Sequence, residues 1–290
     1  MRAIISLHRG WTSALGTLLN SAKRDVLVAS PFITQEGALF VDKHLSRKVR
    51  NTGVFRIITN LSPNNIVQGA TDPRALQFLA DHVNGLTIWH LPKLHAKVYV
   101  ADVRSAIVTS ANLTSGGLTQ NYEYGIHFAG LATVRRIRDE ITAYGNLGAC
   151  LSADELKHYV DVSEQVRVAF QQQQRTVSRR AKAHFERLLF RAESDLISLR
   201  IAGASRTQVF ERTIEYLLSR YGRMTTPEIH DRVKSIHPDL CDDKIDRVIA
   251  GQHFGKKWKH AVRTAQGHLK EAGRIELIGR HWRLRQTAAS

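Results

Sequence analysis

The stretch that most limits what this chain can fold into is residues 94–126, LHAKVYVADVRSAIVTSANLTSGGLTQNYEYGI. Its opening residues alternate, with Leu94, Ala96, Val98 and Val100 set against His95, Lys97 and Tyr99. A strand repeats every two residues, so the pattern predicts a strand over 94–101. His95 and Lys97 would share one face, and the apolar side chains the other. An imidazole beside an ammonium is costly to bury unless something anionic sits between them. A phosphate meets that description.

The segments around this stretch alternate between strand and helix patterns. A helix is predicted over 9–22, with Trp11, Leu15, Leu18 and Leu19 on one side, followed by a buried strand over 25–33 that stops at Ser30-Pro31. A helix over 36–50, a strand over 55–59 and a turn-rich loop over 61–73 come next. Pro73 opens a helix to about residue 83, with Asp72 as its N-cap. Strands over 86–90, 105–109 and 122–128 and a helix over 134–144 complete an α/β unit. Residues 152–200 read as helical, starting at the capping box Ser152-Ala-Asp-Glu155 and running through the glutamines 171–174. This arm is a candidate for dimer contacts.

Gly203 marks the expected start of a second domain. A helix over 207–220 is followed by Thr225-Thr226-Pro227-Glu228, a strong helix start running to about Ile236. A short helix over 244–249, a longer one over 257–272 and a hairpin over 274–284 follow. Helices ending in a basic two-stranded wing resemble a winged helix-turn-helix. The domains expected are therefore 1–150, 151–202 and 203–290.

Charge narrows the partner. The formal net charge is +16, divided as +7 in residues 1–150, +2 in 151–200 and +7 in 201–290. A basic excess at both ends points to a polyanion, nucleic acid before anionic membrane. Cys150 and Cys241 are far apart without CxxC spacing, which argues against a disulfide scaffold or a zinc site and fits a reducing cytoplasm. No signal peptide or membrane span is expected from the sequence, because no apolar run is long enough.

His95-x-Lys97, four residues to Asp102, then Ser110-x-Asn112, is similar to the HxKx4Dx6GSxN motif of the phospholipase D superfamily. Glu123, eleven residues past Asn112, matches the acidic residue that supports the catalytic histidine there, and Ser30-Pro31-Phe32 resembles the superfamily's early strand end. One position departs: Thr109 stands where the motif has glycine. The resemblance implies an α-β-α sandwich and a phosphodiesterase. His95 would attack phosphorus and form a phosphohistidine. Lys97, Ser110 and Asn112 would hold phosphate oxygens, and Glu123 would fix the imidazole tautomer. Asp102, at a turn, is expected to tie the loop together rather than react. Tyr99 shares the His95 face and is a candidate for lining the pocket, and His127 is read as near the site but structural. No metal and no cofactor are implied.

That mechanism needs two histidines. The other HxK, His268-Leu-Lys270, lacks a spaced aspartate and lies in a predicted helix of the second domain. The expectation is a homodimer whose active site forms on the two-fold axis. In the second domain Lys256, Lys257, Lys259, Arg263 and Gln266 on the last helix, with Arg280 and Arg283 on the wing, are the expected DNA contacts. Trp258 and Trp282 are expected in its core. A single-motif phospholipase D domain joined to a DNA-binding domain resembles the plan of metal-independent restriction endonucleases. This implies a cytoplasmic DNA endonuclease in restriction or antiviral defence, with further defence-system subunits possible. The alternatives are a DNA-binding regulator using an inactive phospholipase D fold to dimerise, and a lipid phosphodiesterase.

Overall fold

The computed structural model describes residues 4–8, 10–175, 179–201 and 205–285. Arg9, Gly203 and the linker residues Thr176, Val177 and Ser178 lie outside the described residues. The chain divides into two units, Met1–Leu199 and Arg200–Ser290.

The first unit runs β1 (Ile4–Leu7), α1 (Thr12–Ser21), β2 (Asp25–Ala29), α2 (Gln35–His44), α3 (Arg47–Thr52), β3 (Val54–Thr59), α4 (Pro63–Val67), α5 (Pro73–His82), β4 (Leu86–His90), β5 (Val98–Ala101), β6 (Ser105–Thr109), β7 (Gly125–Ala129), α6 (Leu131–Gly145), β8 (Ala149–Leu151), α7 (Ala153–Arg175) and α8 (Arg179–Ile201). Its eight strands form one sheet in the order β1-β7-β6-β5-β2-β3-β4-β8. β2, β3 and β4 are parallel and joined by helices, whereas β5, β6 and β7 pair antiparallel.

Period-two alternation assigns the two faces. Val26, Val28, Phe55, Ile57, Tyr99 and Ile107 point into the main core with Trp11, Leu15 and Leu76 from α1 and α5. Leu27, Ala29, Ile58, Val98, Val100 and Ala106 are equally buried but lie outside that core, on the face covered by α6 through Val134 and Ile141. The first unit is thus an α-β-α sandwich, as expected.

Several elements differ from the sequence reading, each for a local reason. The helix expected over 36–50 is broken at Leu45-Ser46, because Ser46 caps α3 by accepting the Val49 N–H. The loop over 61–73 contains the short α4, opened by Pro63. The strand expected from residue 94 starts only at Val98, and the strand expected from 122 starts at Gly125. The edge strands β1 and β8 are too short to show a periodicity. Asp72 caps α5 through the Arg74 N–H, and the Ser152–Glu155 capping box closes reciprocally at 3.2 and 2.7 Å.

The helix α7 packs on α4 and α5, and Tyr159 is fully buried with its hydroxyl 2.6 Å from Leu61 O. α8 returns along it through a small cluster of Val162, Val166, Ala192 and Leu188. The glutamine run lies within α7.

The second unit runs α9 (Arg206–Tyr221), β9 (Met224–Thr225), α10 (Thr226–Ile236), β10 (Asp246–Ile249), β11 (Gln252–Lys256), α11 (Lys257–Glu271), β12 (Ile275–Ile278) and β13 (His281–Leu284). The strands β12, β13 and β9 make one small antiparallel sheet. Thr225 caps α10 in a capping box with Glu228. Phe210, Ile214, Val233, Trp258, Val262 and Trp282 are buried. The helix expected over 244–249 is absent. That segment is β10, paired with β11 as a hairpin whose tip, Ala250-Gly251, has φ of 47° and 81°. The asparagine-glycine-like tip and the β-branched Val248 and Ile249 favour a ribbon over a helical turn. Among the described residues no helix is long and apolar enough to cross a membrane.

Candidate active site

The residues singled out by spacing gather at one end of the first unit's sheet. β5 runs antiparallel to β2, so the entry to β5 lies where β2 ends, at Ser30. β6 ends and β7 begins at that same end, with Thr109 opposite Gly125. Lys97, Ser110, Asn112 and Glu123 are thereby brought to one rim from loops that a continuous sheet positions.

His95 and Lys97 precede β5 in extended chain. Lys97 is 7% exposed, and its Nζ lies 3.0 Å from both His95 Nε2 and the His95 carbonyl oxygen. Burial pulls the Lys97 ammonium below its ordinary pKa, and the Glu123 carboxylate pulls the other way. A nearly buried cation thus rests against an imidazole nitrogen, with a carboxylate close enough to be felt.

Glu123 is held by Ser110 Oγ on one oxygen and by Asn121 Nδ2, at 3.0 Å, on the other. Its hydrogen bonds run to those residues and not to the His95 of the same chain. Ser110 Oγ also accepts from the Tyr124 N–H at 3.1 Å. The Asn112 Oδ1 is buried with no hydrogen-bond partner among the described residues. The 110–113 loop thus carries an unpaired buried acceptor, which a donor would satisfy.

Asp102 stands at the opposite end of β5. Its carboxylate accepts the backbone N–H groups of Lys23 (3.0 Å), Arg24 (2.7 Å) and Asp25 (3.1 Å), and its own φ is 53°. Burial pushes this carboxyl up, but those three N–H donors and Arg104 outweigh it, so it sits below its ordinary value. It pins the start of β2 and is remote from the reacting residues. Tyr99 is fully buried and donates to Ala111 O at 3.0 Å, so it supports the 110–113 loop from beneath and does not line an open pocket. Burial holds its phenol far above the ordinary range. His127 bonds Ser105 Oγ at 2.7 Å, at the far end of β6 from Thr109, and burial lowers its pKa.

Supporting residues include three outside the motif, Trp11, Gly117 and Asn121, and one at the early strand end, Ser30. The Trp11 Nε1 donates to Gly117 O at 2.9 Å. Gly117 lies in a single π-helical turn, Gly116–Gln120, and a Cβ there would be 2.4 Å from Asn112 O and 2.8 Å from Asn112 N. Only glycine lets that turn press on the Asn112 backbone. Asn121, two residues before Glu123, orients its carboxylate. Ser30 joins them by accepting the Leu113 N–H at 3.0 Å.

In the second unit the expected DNA contacts separate. Lys257, Arg263 and Arg280 are exposed, and Lys259 is half-buried over the Trp258 ring. Lys256 pairs with Asp246 at 2.8 Å and Arg283 with Glu276 at 2.7 Å. Gln266 is corrected. It is 2% exposed and reaches Thr226 Oγ1, because it falls on the helix face that carries Val262 and Leu269. His268, of the second HxK, bonds Glu211 at 2.9 Å.

Residues 15–144 match the family model described as "Cardiolipin synthase, PLD-like domain". No curated protein matches the chain. Among solved structures, the phospholipase D family member Nuc from Salmonella typhimurium is 15% identical with a TM-score of 0.43, covering 52% of this chain and 99% of its own. NucT from Helicobacter pylori is 16% identical with a TM-score of 0.38, covering 50% and 94%. Phosphatidylserine synthase from Haemophilus influenzae Rd KW20 is 14% identical with a TM-score of 0.42, covering 60% and 46%. Residues 15–144, within the α-β-α sandwich of the first unit, are thus similar to the PLD-like domain family.

Proposed function

We propose that this protein is a metal-independent DNA endonuclease of restriction or antiviral defence, active as a homodimer. The observation that carries this reading is the His95–Lys97 pair, an ammonium 7% exposed and 3.0 Å from the imidazole, set on the rim where Ser110, Asn112 and Glu123 converge. A buried cation whose nearest carboxylate is already held by Ser110 and Asn121 calls for a further anion. An entering phosphodiester draws Lys97 off His95 Nε2 and frees that lone pair. Nε2 then bonds phosphorus while the leaving oxygen departs with its electron pair, taking a proton from the histidine of a second copy. Water attacks the phosphohistidine in the second step, returns a proton to that second histidine and restores His95. Lys97 and the Asn112 amide hold the non-bridging oxygens.

Two copies are required because a second spaced HxK-Asp is absent from the sequence. We read residues 203–290 as a winged-helix DNA-binding domain, with Lys257, Lys259, Arg263 and Arg280 as its phosphate and base contacts. Gln266 is omitted from that set. The basic charge of this region supports DNA as the substrate over a lipid.

The test is nicking of plasmid DNA in EDTA by the wild-type chain beside His95→Ala. Nicking by the wild type alone, with an acid-labile phosphoprotein trapped during turnover, is expected. Tight DNA binding without cleavage by either protein, or equal cleavage by both, sinks the proposal.

A further inference from the structure

Between α10 and α11 the second unit carries a ribbon that its packed core does not need. Its base is fixed. Leu240 and Cys241 are buried, Trp258 Nε1 donates to Asp243 Oδ1 at 2.8 Å, and the Lys257 N–H reaches Ile245 O at 2.9 Å. Its tip is a two-residue turn with both φ angles positive, the geometry that matches strand twist. Yet Ile245, Val248, Ile249 and Phe254 are each 47–51% exposed, on strands with almost no buried position. A two-stranded ribbon is marginal in water by itself, and apolar side chains held out on a braced one require a partner.

Charge identifies that partner. Residues 244–263 carry six Lys and Arg and a single acidic residue, Asp246, which is already bound to Lys256 and His253. A second copy of so basic a ribbon would be repelled, and four half-exposed side chains fall far below the roughly 800 Å² per partner of a stable protein interface. A polyanion is attracted. The major groove admits a two-stranded ribbon, and apolar side chains contact thymine methyls or wedge between base steps.

We propose that the β10–β11 ribbon enters a groove of duplex DNA, with Ile249 and Phe254, which share one face of the ribbon, against the bases and Lys257 and Lys259 on the flanking phosphates. This rests on the reading of the second unit as DNA-binding and adds a contact outside the helix and the wing. Apolar contacts release no counterions and phosphate contacts do, so the two groups leave different salt signatures.

The experiment is fluorescence anisotropy of a labelled duplex with the full-length chain, in a His95→Ala background to prevent cleavage, across a series of salt concentrations. Substituting Ile249→Ser and Phe254→Ser together should weaken binding about tenfold or more at every salt concentration, with the slope of log Kd against log salt unchanged. Substituting Lys257→Ala with Lys259→Ala should reduce that slope by about 2. A single Phe254→Trp chain should show a blue shift of the added indole emission on adding duplex, which covers the case of a double variant that misfolds. Unchanged affinity of a folded double variant, no shift at Trp, or loss of self-association instead of DNA binding each overturns the ribbon's role. Failure of the parent chain to bind duplex at all overturns the DNA reading itself.

Discussion

Thr109 and Gly125 are Cα partners across β6 and β7, and a Cβ placed on Gly125 would lie 2.7 Å from the Thr109 Cβ. The motif that the central stretch resembles has glycine at 109. Here the bulk sits on β6 and a vacancy lies opposite it on β7. The threonine is also used: its Oγ1 donates to Tyr124 O at 3.1 Å and accepts from the Ala111 N–H at 3.3 Å, tying the Ser110 loop to the Glu123 segment.

Gly125→Ala should therefore cost about 1–3 kcal/mol, the scale of overpacking. Adding Thr109→Gly should recover part of that loss, because it removes the Thr109 Cβ and Oγ1 contacts at 2.7 and 2.9 Å and leaves the Val108 carbonyl oxygen at 2.8 Å. Thermal or denaturant unfolding of both single variants and the double variant gives the coupling. Additive losses would show that the two residues do not compensate.

In the proposed reaction Lys97 holds phosphate oxygens only when charged, and burial lowers its pKa from the ordinary 10.5. The alkaline limb of kcat/KM against pH should accordingly fall before that value is reached. Glu123 opposes the shift, so Glu123→Gln should move the limb further toward neutral, apart from any fall in its height. Lys97→Arg, whose guanidinium stays charged, should flatten the limb at lower overall activity. An alkaline limb unmoved by Glu123→Gln contradicts the assignment of that limb to Lys97.

Much of this arrangement is legible in the residues alone. Strong alternation and turn formers locate β2 to β6, and the spacing of His95, Lys97, Ser110, Asn112 and Glu123 identifies residues that the sheet brings to one end. What escapes is contact between segments distant in sequence. Trp11 reaches Gly117 across 106 positions, and Asp102 reaches Lys23 across 79, and no local pattern encodes either. The β10–β11 hairpin is missed for a different reason. Six residues with charged and apolar side chains, 244–249, suit a helical turn or a strand alike, and the glycines that decide it lie just beyond them. Gln266 reads as polar and accessible, yet the phase of α11 turns it inward beside Trp282's partner Thr226.

Asp102 gives an acid signature. Its carboxyl is depressed in the folded chain, so its stabilising contribution is complete above the unfolded value of about 4 and is lost as pH falls through the lower folded value. Asp102→Ala should cost about 2 kcal/mol at neutral pH by leaving the Lys23, Arg24 and Asp25 N–H groups without their acceptor. Asp102→Asn should cost less. Unfolding midpoints at pH 7 and pH 3 should differ less in either variant than in the wild type, and an equal acid sensitivity would remove Asp102 from this role.

Gly117 separates support of the site from support of the fold. A Cβ there would meet Asn112 backbone atoms at 2.4 and 2.8 Å, closer than any rearrangement of side chains can relieve. Gly117→Ala must therefore displace either the π-helical turn or the Asn112 segment. Asn112 moves with the loop between Ala111 and Leu113, both fully buried, so the turn is the freer of the two, yet it is held by the Trp11 indole. Displacing Asn112 by about 1 Å is enough to lower turnover on the order of a hundredfold, because its amide no longer meets the phosphate oxygen. Trp11→Phe removes the 2.9 Å bond that holds the turn, at a stability cost of about 1 kcal/mol, and should reduce the catalytic loss when combined with Gly117→Ala by letting the turn move instead. Rates of plasmid nicking for the two single variants and the double variant, read beside their melting temperatures, decide the matter. A double variant slower than Gly117→Ala alone would mean that the indole does not set the position of Asn112.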